Sequence, residues 1–438
     1  MRAPLVVKEF DSIIGNSDYQ HDPRYVYLDK DKYADLVEFI REYASTSDSS
    51  DALDFMSIKF KRGVGDVVSL RNYVGLIQMD NGFQLEILPK IDLGYNDANN
   101  AQTKTVFLRM LRSMKDSPGK LFNEASLQAD RKNLYEIFIN MYLQEVRNLV
   151  KHGLQSGYLT HTENLNFYKG KLLVNAHIRM NLVHKERFFV AFDEFHQNRP
   201  ENRLVKATLE KLYKLTVSAE NSKEIRQLLC AFELVQSSVD YDKDFSKVEI
   251  NRNMKEYDNL MKWSKVFLKN KSFTTFSGSA KSRALLFPME TFFESYVAQQ
   301  IRKSFRPRGW NVSCQAYGEY LFVKPRRQFA LRPDIVIQRG KRKIIMDTKW
   351  KRLNNNEHSN YGISQEDMYQ MYAYSKKYKT SEIWLLYPVT DEVRTLQPIE
   401  YDSGDNTTVK IHFVDVSRIE ESLSELMERI DEEVVVYE

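Results

Sequence analysis

The stretch LRPDIVIQRGKRKIIMDTKWKRL, residues 331–353, contains two short apolar runs with an aspartate at one end of each. Asp334 opens the run DIVI, Asp347 closes the run KIIM, and Lys349 follows two residues later. The glycine-containing segment between the runs predicts an antiparallel hairpin, in which the start of one strand lies beside the end of the other. The sequence therefore predicts that the two aspartates meet at one edge of a sheet.

This pairing of carboxylates has a chemical meaning. Side chains alternate along a strand, so Asp347 and Lys349 share one face. Two neighbouring carboxylates repel, and oxygen ligands without nitrogen or sulfur favour a hard divalent ion, Mg²⁺ with Mn²⁺ as the alternative. A nearby lysine can orient water or stabilise charge on a phosphate. The pattern predicts metal-assisted phosphodiester hydrolysis; two surface aspartates that cap strands are the structural alternative.

The charge distribution indicates a polyanionic partner. The chain of 438 residues has a net charge of +4, yet residues 301–352 hold 15 Lys or Arg against three acidic residues. This local balance of +12 leaves −8 for the remainder. Such an excess is typical of surfaces that contact nucleic-acid phosphates, although a solvated surface can have the same composition. The charge therefore fits a polyanionic partner, and a solvated surface without a partner stays the alternative.

Composition narrows the class of protein. The chain is 42% hydrophobic and 28% charged, and its length predicts two or three domains. No apolar run approaches the roughly 18 residues that a membrane span requires. The start, MRAPLVVKEF, lacks a secretory apolar core, and Cys230 and Cys314 provide neither a disulfide framework nor zinc spacing. We expect a cytoplasmic protein without membrane contact.

Sequence patterns predict a multidomain fold of mixed α/β and α+β class. Residues 1–104 are predicted as a β-rich domain, because Asn-Gly at positions 81–82 separates two apolar runs. Residues 105–275 are predicted as a helical middle region from apolar residues at helical spacing. Residues 276–438 alternate helices and strands and are predicted as an α/β domain. Polar residues 92–102 and Ser/Thr-rich residues 270–282 are the expected boundary and linker.

The C-terminal region resembles the PD-(D/E)xK nucleases, a superfamily with a restriction-endonuclease-like α/β fold. Pro333-Asp334, twelve intervening residues and Asp347-Thr348-Lys349 match its signature. The segment SQEDMYQMYAYSKKY contains Gln370 and Tyr374, the Q-x-x-x-Y spacing of RecB-like members.

This resemblance assigns roles to particular residues. Asp334, Asp347, Lys349 and Gln370 are the expected catalytic residues. The expected metal ligands are Asp334, Asp347 and the backbone carbonyl of Thr348. Glu294, in the preceding segment PMETFFESYV, is a further candidate ligand, because these nucleases often have an acidic residue in that helix; a solvated surface position is its alternative.

Across most of its length the chain resembles the McrC family, the nuclease subunits of McrBC modification-dependent restriction systems. The similar segments are YVGLIQMDNGFQLEILPKI, FDEF followed by ENRLVKATL, FFESYV, RPDIVI, IIMDTKWK and DMYQMYAY. The resemblance implies an Mg²⁺-dependent endodeoxyribonuclease subunit of a defence system against foreign DNA. Its implied partner is an McrB-like AAA+ GTPase ring, which recognises methylcytosine-type DNA, activates the nuclease and is stimulated by it.

The nucleotide is expected to bind the partner. The sequence has no G-x-x-x-x-G-K-[ST], so we expect no nucleotide site in this chain and GTP use by the ring. The resemblance implies that the N-terminal region docks on the ring, and Lys59, Lys61, Arg62 and Arg71 are candidates for that contact; an ordinary exposed hairpin is the alternative. Two other functions stay open: a stand-alone RecB-like nuclease, and a catalytically silent DNA-binding regulator of an AAA+ motor.

Overall fold

The chain divides into two compact units. The computed structural model describes residues 4–46, 55–79, 81–91, 100–113, 134–249, 254–269, 282–316, 318–396 and 398–435. Residues 1–133 together with 278–438 form the discontinuous unit, and residues 134–277 form the continuous unit. Most of the predicted boundary and linker lies outside the described residues. The domain boundaries after residues 104 and 275 stay predictions.

Helices and strands are spread along the whole described chain. In chain order the strands are β1 (Leu5–Lys8), β2 (Ser12–Ile14), β3 (Val26–Tyr27), β4 (Met56–Lys61), β5 (Gly65–Leu70), β6 (Tyr73–Met79), β7 (Gln84–Leu88), β8 (Gly157–Leu165), β9 (Lys171–Leu172), β10 (Phe188–His196), β11 (Ser282–Pro288), β12 (Asn311–Cys314), β13 (Glu319–Phe322), β14 (Gln328–Leu331), β15 (Ile335–Arg339), β16 (Arg342–Thr348), β17 (Glu382–Pro388), β18 (Ile399–Asp402) and β19 (Thr408–Val414). The helices are α1 (Lys30–Thr46), α2 (Asn100–Ser113), α3 (Leu134–His152), α4 (Val174–Asn181), α5 (Pro200–Leu215), α6 (Ala219–Cys230), α7 (Tyr241–Phe245), α8 (Lys255–Lys269), α9 (Met289–Phe305), α10 (Gln365–Tyr378) and α11 (Ile419–Val435). In the described ranges, none of these helices has both the length and the apolar character that crossing a bilayer requires.

The N-terminal strands form two four-stranded sheets, with orders β3-β2-β5-β4 and β1-β7-β6-β11. The hairpin predicted from Asn81-Gly82 is confirmed: β6 and β7 pair antiparallel on either side of the turn. Gly82 has a φ of 79°, which glycine adopts without steric cost, and its N–H donates to the Met79 carbonyl at 2.9 Å. The turn chemistry therefore sets the pairing of the two strands.

The prediction of a β-rich first region was incomplete, because it did not include helix α1. This helix buries Leu36, Phe39 and Ile40, which lie three and four residues apart on one face. The run LVEFI can equally be read as a short, partly buried strand, so the periodicity was ambiguous from the sequence.

Strand β11 completes the N-terminal sheet from a distant part of the chain. It pairs antiparallel with β6 along its whole length, from Ser282 opposite Met79 to Pro288 opposite Tyr73. Gly75 makes this pairing possible, because a Cβ there would lie 1.9 Å from the Leu285 carbonyl oxygen. The N-terminal and C-terminal segments therefore share one sheet.

The continuous unit is mainly helical, but the prediction of a helical middle region missed a sheet. Strands β8, β10 and β9 form a three-stranded antiparallel sheet, in which β8 and β10 pair over nine residues. The β8 sequence, GYLTHTENL, has two aliphatic residues and gives no apolar alternation. Its strand character therefore could not be seen from periodicity.

The C-terminal sheet confirms the hairpin of the opening stretch. Its strand order is β12-β15-β16-β17-β19-β18, with β16, β17 and β19 parallel. Strands β15 and β16 pair antiparallel, with Ile335 opposite Met346 and Arg339 opposite Arg342. Buried Ile345 packs with Met371 and Tyr374 of α10, so this helix covers one face of the sheet. The register places Asp334 next to Asp347 at the edge where the parallel strands end.

Candidate active site

The hairpin β15–β16 brings the two predicted aspartates together. Asp347 lies near the end of β16 and is 1% exposed. Asp334 immediately precedes β15, and its neighbour Ile335 pairs with Met346. The negative charge of Asp334 raises the pKa of the Asp347 carboxyl group. The two carboxylates therefore form one electrostatic cluster.

Thr348 fixes the orientation of Asp334. Its backbone N–H and its Oγ1 hydroxyl both donate to Asp334 Oδ2, each at 2.7 Å. The sequence identified Thr348 only as a backbone carbonyl ligand, and that role stays a prediction. The contribution of its side chain was missed, and the only signal for it was a hydroxyl residue between the aspartate and the lysine.

Lys349 connects the aspartates to helix α10. Its Nζ lies 2.5 Å from Asp347 Oδ2 and donates to Gln370 Oε1 at 3.0 Å. Gln370 Nε2 in turn donates to the buried hydroxyl of Tyr374 at 2.7 Å. The predicted Q-x-x-x-Y pair therefore belongs to the cluster, with Gln370 holding the lysine and Tyr374 holding Gln370.

Helix α9 contributes Glu294 to the same cluster. Glu294 is half-buried and accepts a hydrogen bond from Gln315 Nε2 at 3.1 Å. Glu290, one turn earlier, is exposed and accepts from Asn72 Nδ2. Of the two acidic residues in this helix, only Glu294 lies near the aspartates. Gln315, which the sequence did not single out, joins Glu294 to the strand edge.

Burial and mutual repulsion make these carboxylates difficult to ionise together. Burial, and then the charge of Asp334, raise the pKa of Asp347 to about 7. Burial also raises the pKa of Asp334, against hydrogen bonds from Thr348, and burial with Asp334 raises that of Glu294. Burial lowers the pKa of Lys349, but the charge and hydrogen bond of Asp347, together with the charges of Asp334 and Asp367, outweigh burial and leave the pKa raised. The cluster therefore resists full ionisation, and Lys349 is the cation that favours the ionised form of Asp347.

The donor set fits a divalent cation, although the described residues do not form a finished coordination shell. Within the described ranges, no three His, Cys, Asp or Glu side chains are arranged ready to hold a metal ion. However, Asp347 Oδ2 is buried, and it contacts the Lys349 ammonium group at 2.5 Å. Buried, mutually repelling carboxylate oxygens are the ligands that Mg²⁺ or Mn²⁺ binds.

Trp350, which follows Lys349 in the chain, connects this end of the sheet to the N-terminal segment. Its Nε1 donates to both carboxylate oxygens of Glu9, each at 3.0 Å, and its ring lies 5.2 Å from that of Phe293. Glu9 is fully buried and also accepts from the backbone N–H of Lys90 at 2.8 Å. Glu9 and Trp350 are 341 residues apart, so no local pattern could reveal the contact.

A family of known proteins matches most of the chain. A family model described as "McrBC 5-methylcytosine restriction system component" matches residues 68–388. A search of curated proteins found no match. The match includes both aspartates, Lys349 and Gln370.

Solved structures resemble the chain as well. One is a chain of the refined half-complex from a tetradecameric assembly of Thermococcus gammatolerans McrB AAA+ hexamers with bound McrC. It is 19% identical, with 98% of this chain and 100% of that chain covered and a TM-score of 0.67. Another, from the cryo-EM structure of the Thermococcus gammatolerans McrBC complex, is 20% identical, covers 68% of this chain and 87% of that chain, and has a TM-score of 0.46. The first likeness shows that the fold is shared over nearly the whole chain.

Proposed function

The chain belongs to the McrBC family of 5-methylcytosine restriction system components, and from this premise we propose that it is the DNA-cleaving subunit of such a system. Membership confirms the resemblance to the McrC family. The observation that carries the proposal is the cluster of Asp334, Asp347, Lys349 and Gln370, which two strands and one helix bring together. We propose that β12 and β15–β19, with α9–α11, form a PD-(D/E)xK nuclease domain.

Each residue of the cluster has a role in phosphodiester hydrolysis. Asp334 and Asp347 would hold Mg²⁺, with Mn²⁺ as the alternative, and Glu294 and the Thr348 carbonyl are the further candidate ligands. The ion would supply positive charge to the phosphate and acidify a water molecule. Thr348 holds Asp334 in place through two hydrogen bonds. Lys349, oriented by Gln370, places an ammonium group where negative charge develops on the scissile phosphate.

The proposed partners are double-stranded DNA and an McrB-like AAA+ GTPase ring. One structural neighbour comes from an assembly of McrB AAA+ hexamers with bound McrC, which supports a ring as the partner. We propose that the ring uses GTP and recognises the modified DNA, while this chain stimulates hydrolysis and cuts in the cytoplasm. The exposed residues Lys59, Lys61, Arg62 and Arg71 on and beside β4–β5 are candidates for the docking contact.

The test is a cleavage assay with the chain, the AAA+ protein of the same system, GTP, Mg²⁺ and methylated duplex DNA. We expect the parent to cut, and Asp334→Asn and Asp347→Asn to lose cutting while they still stimulate GTP hydrolysis. Cutting by either variant at the parental rate contradicts the metal-site assignment. Cutting by the parent without partner and GTP would instead identify a stand-alone nuclease. Stimulation by a parent that never cuts would identify a silent regulator.

A further inference from the structure

A small hairpin immediately precedes the candidate active site in the amino-acid sequence. Strands β13 and β14 pair antiparallel, and only Arg332 and Pro333 separate the end of β14 from Asp334. We propose that this hairpin, residues 319–331, is an arm that binds duplex DNA, with cations at its turn on the phosphates and two phenylalanine rings in a groove. The proposal rests on the proposed nuclease function and assigns this chain its own DNA contact.

The charge of the turn supports a phosphate partner. Lys324, Arg326 and Arg327 are all exposed, and residues 323–333 contain no acidic residue. Among the residues that the structure describes, none of these three cations pairs with a carboxylate; Arg327 lies over the Tyr320 ring at 5.8 Å. Cations without counter-charges on an exposed turn fit the phosphates of a duplex, because each contact releases condensed counterions.

Other basic side chains of residues 301–352 do pair with carboxylates. Arg342 pairs with Glu382 at 2.9 Å, and Lys351 pairs with Asp367 at 2.8 Å. Those cations stabilise the fold through local partners. The cations of the arm therefore account for part of the net positive charge of residues 301–352, and they do not belong to the active-site cluster.

Two exposed rings supply the second element of the arm. Phe322 is 55% exposed, Phe329 is 67% exposed, and their centroids lie 5.9 Å apart in an edge-to-face arrangement. Phe329 has a φ of 55°, a left-handed conformation that costs free energy for a bulky residue. Exposed phenylalanine rings beside arginines match the apolar wedges with which proteins enter the minor groove.

The arm is tied to the catalytic edge at its base. The Tyr378 hydroxyl of α10 donates to the carbonyl of Leu331 at 3.2 Å and that of Ala316 at 3.4 Å. The backbone N–H of Gln315 donates to the carbonyl of Asp334 at 2.8 Å. DNA bound by the arm would therefore be held in a fixed position relative to Asp334. The proposed nuclease function requires the scissile phosphate to lie beside this residue.

Charge removal tests the phosphate contact. The full chain is titrated into a short duplex at several salt concentrations without divalent ions. We expect the variant Lys324→Ala/Arg326→Ala/Arg327→Ala to lose at least about tenfold in affinity, with the slope of log K against log salt reduced by roughly 2.7. The single variants Lys324→Ala and Lys341→Ala form a matched pair, since Lys341 is an exposed lysine in the turn at the opposite end of β15. Lys341→Ala should bind as the parent does.

Ring removal tests the wedge. Glycine adopts a φ of 55° readily, so Phe329→Gly should leave the melting temperature unchanged or raised. We expect its cleavage rate, measured with partner, GTP and Mg²⁺ at saturating DNA, to fall on the order of tenfold to a hundredfold, because the phosphate is held less accurately. A rate equal to that of the parent would remove the wedge from the proposal.

The outcomes separate this proposal from the nuclease assignment. If the parent cuts while the triple variant binds and cuts as Lys341→Ala does, the arm does not contact DNA and the nuclease assignment stands. If the parent never cuts but the triple variant loses duplex binding, the arm is supported and the nuclease assignment fails. If the triple variant keeps its DNA affinity but no longer stimulates the AAA+ partner, the arm contacts a protein and the proposal is overturned.

Discussion

Two buried carboxylates, Glu9 and Asp347, have similarly raised pKa values but different neighbouring groups. Burial is the largest cause that raises the pKa of each to about 7. Glu9 is surrounded by donors, since Trp350 and the Lys90 backbone both donate to it, and these hydrogen bonds oppose the rise. Asp347 has a second carboxylate as its neighbour, and the charge of Asp334 adds to the rise.

The difference shows how a structural carboxylate can be told from a functional one. A raised pKa marks desolvation, which occurs wherever an acid is buried. An acid whose hydrogen bonds are satisfied serves the fold, whereas an acid left beside another acid retains a repulsion that a ligand can remove. Glu9 belongs to the first kind and Asp347 to the second, although Trp350 is only three residues from Asp347.

The largest effect we expect concerns the cation of the Asp347 cluster. Lys349→Ala should lower the cleavage rate by roughly a hundredfold to a thousandfold, because it removes a preorganised charge from the phosphate. Lys351→Ala is the matched control, since Lys351 pairs with Asp367 and not with Asp334 or Asp347. Single-turnover cleavage with partner, GTP and Mg²⁺ measures both, and stimulation of GTP hydrolysis should be unchanged in both. Equal loss of cutting in the two variants would contradict a specific role for Lys349.

A second effect concerns stability around Glu9. Glu9→Ala should lower the free energy of unfolding by about 1–3 kcal/mol, because the indole N–H of Trp350 and the Lys90 N–H lose their acceptor inside the protein. Asp347→Asn should not destabilise, because it removes repulsion from Asp334. Urea denaturation measures both changes. A loss in Asp347→Asn as large as that in Glu9→Ala would erase the distinction between the two carboxylates.

The pH dependence of stability sharpens the same comparison. The pKa of Glu9 in the folded chain, about 7, lies above its ordinary value of 4.5, so the folded state holds the proton more tightly. Its favourable contribution is complete below pH 4.5 and is lost as the pH rises through 7, on the order of 3 kcal/mol in total. We therefore expect the stability difference between the parent and Glu9→Gln to change across this window, measured as urea midpoints from pH 4.5 to 8. A constant difference would mean that Glu9 ionises normally.

The smallest effect expected is metal-dependent stabilisation. At about ten times its dissociation constant, Mg²⁺ bound only by the folded chain contributes roughly 1.4 kcal/mol, which corresponds to a rise of a few degrees or less in melting temperature. The parent and Glu9→Gln should show this rise, and Asp347→Asn should not. Thermal scans with Mg²⁺ and with a chelator measure it. A rise in all three proteins would place the ion elsewhere.

Sequence patterns predicted the C-terminal part well because its signals are local. The segment PMETFFESYV, expected to be helical, forms the start of α9 from Met289 onward, and the hairpin of the opening stretch has the expected pairing. A fixed spacing along two paired strands is enough to bring Asp334, Asp347 and Lys349 together. The spacing of Gln370 and Tyr374 likewise needs only one helix turn.

What the sequence did not reveal depends on distant partners. The pairing of β11 with β6 and the contact of Trp350 with Glu9 join segments about 200 and 341 residues apart. Nothing in either local sequence specifies such a partner, because the tertiary fold brings them together. Gln315 and the Thr348 hydroxyl were missed for a related reason, since ordinary polar residues acquire a role only from the carboxylates beside them.

The sheet shared by β6 and β11 has an evolutionary consequence. An ancestral gene that lost the codons for β11 would have left β6 with an unpaired edge, which favours aggregation with other chains. The two parts of the discontinuous unit must therefore be inherited together, whereas residues 134–277 form a unit of their own between them. A substitution on β6 is constrained by β11 in the same way, because a Cβ at position 75 would lie 1.9 Å from the Leu285 carbonyl oxygen.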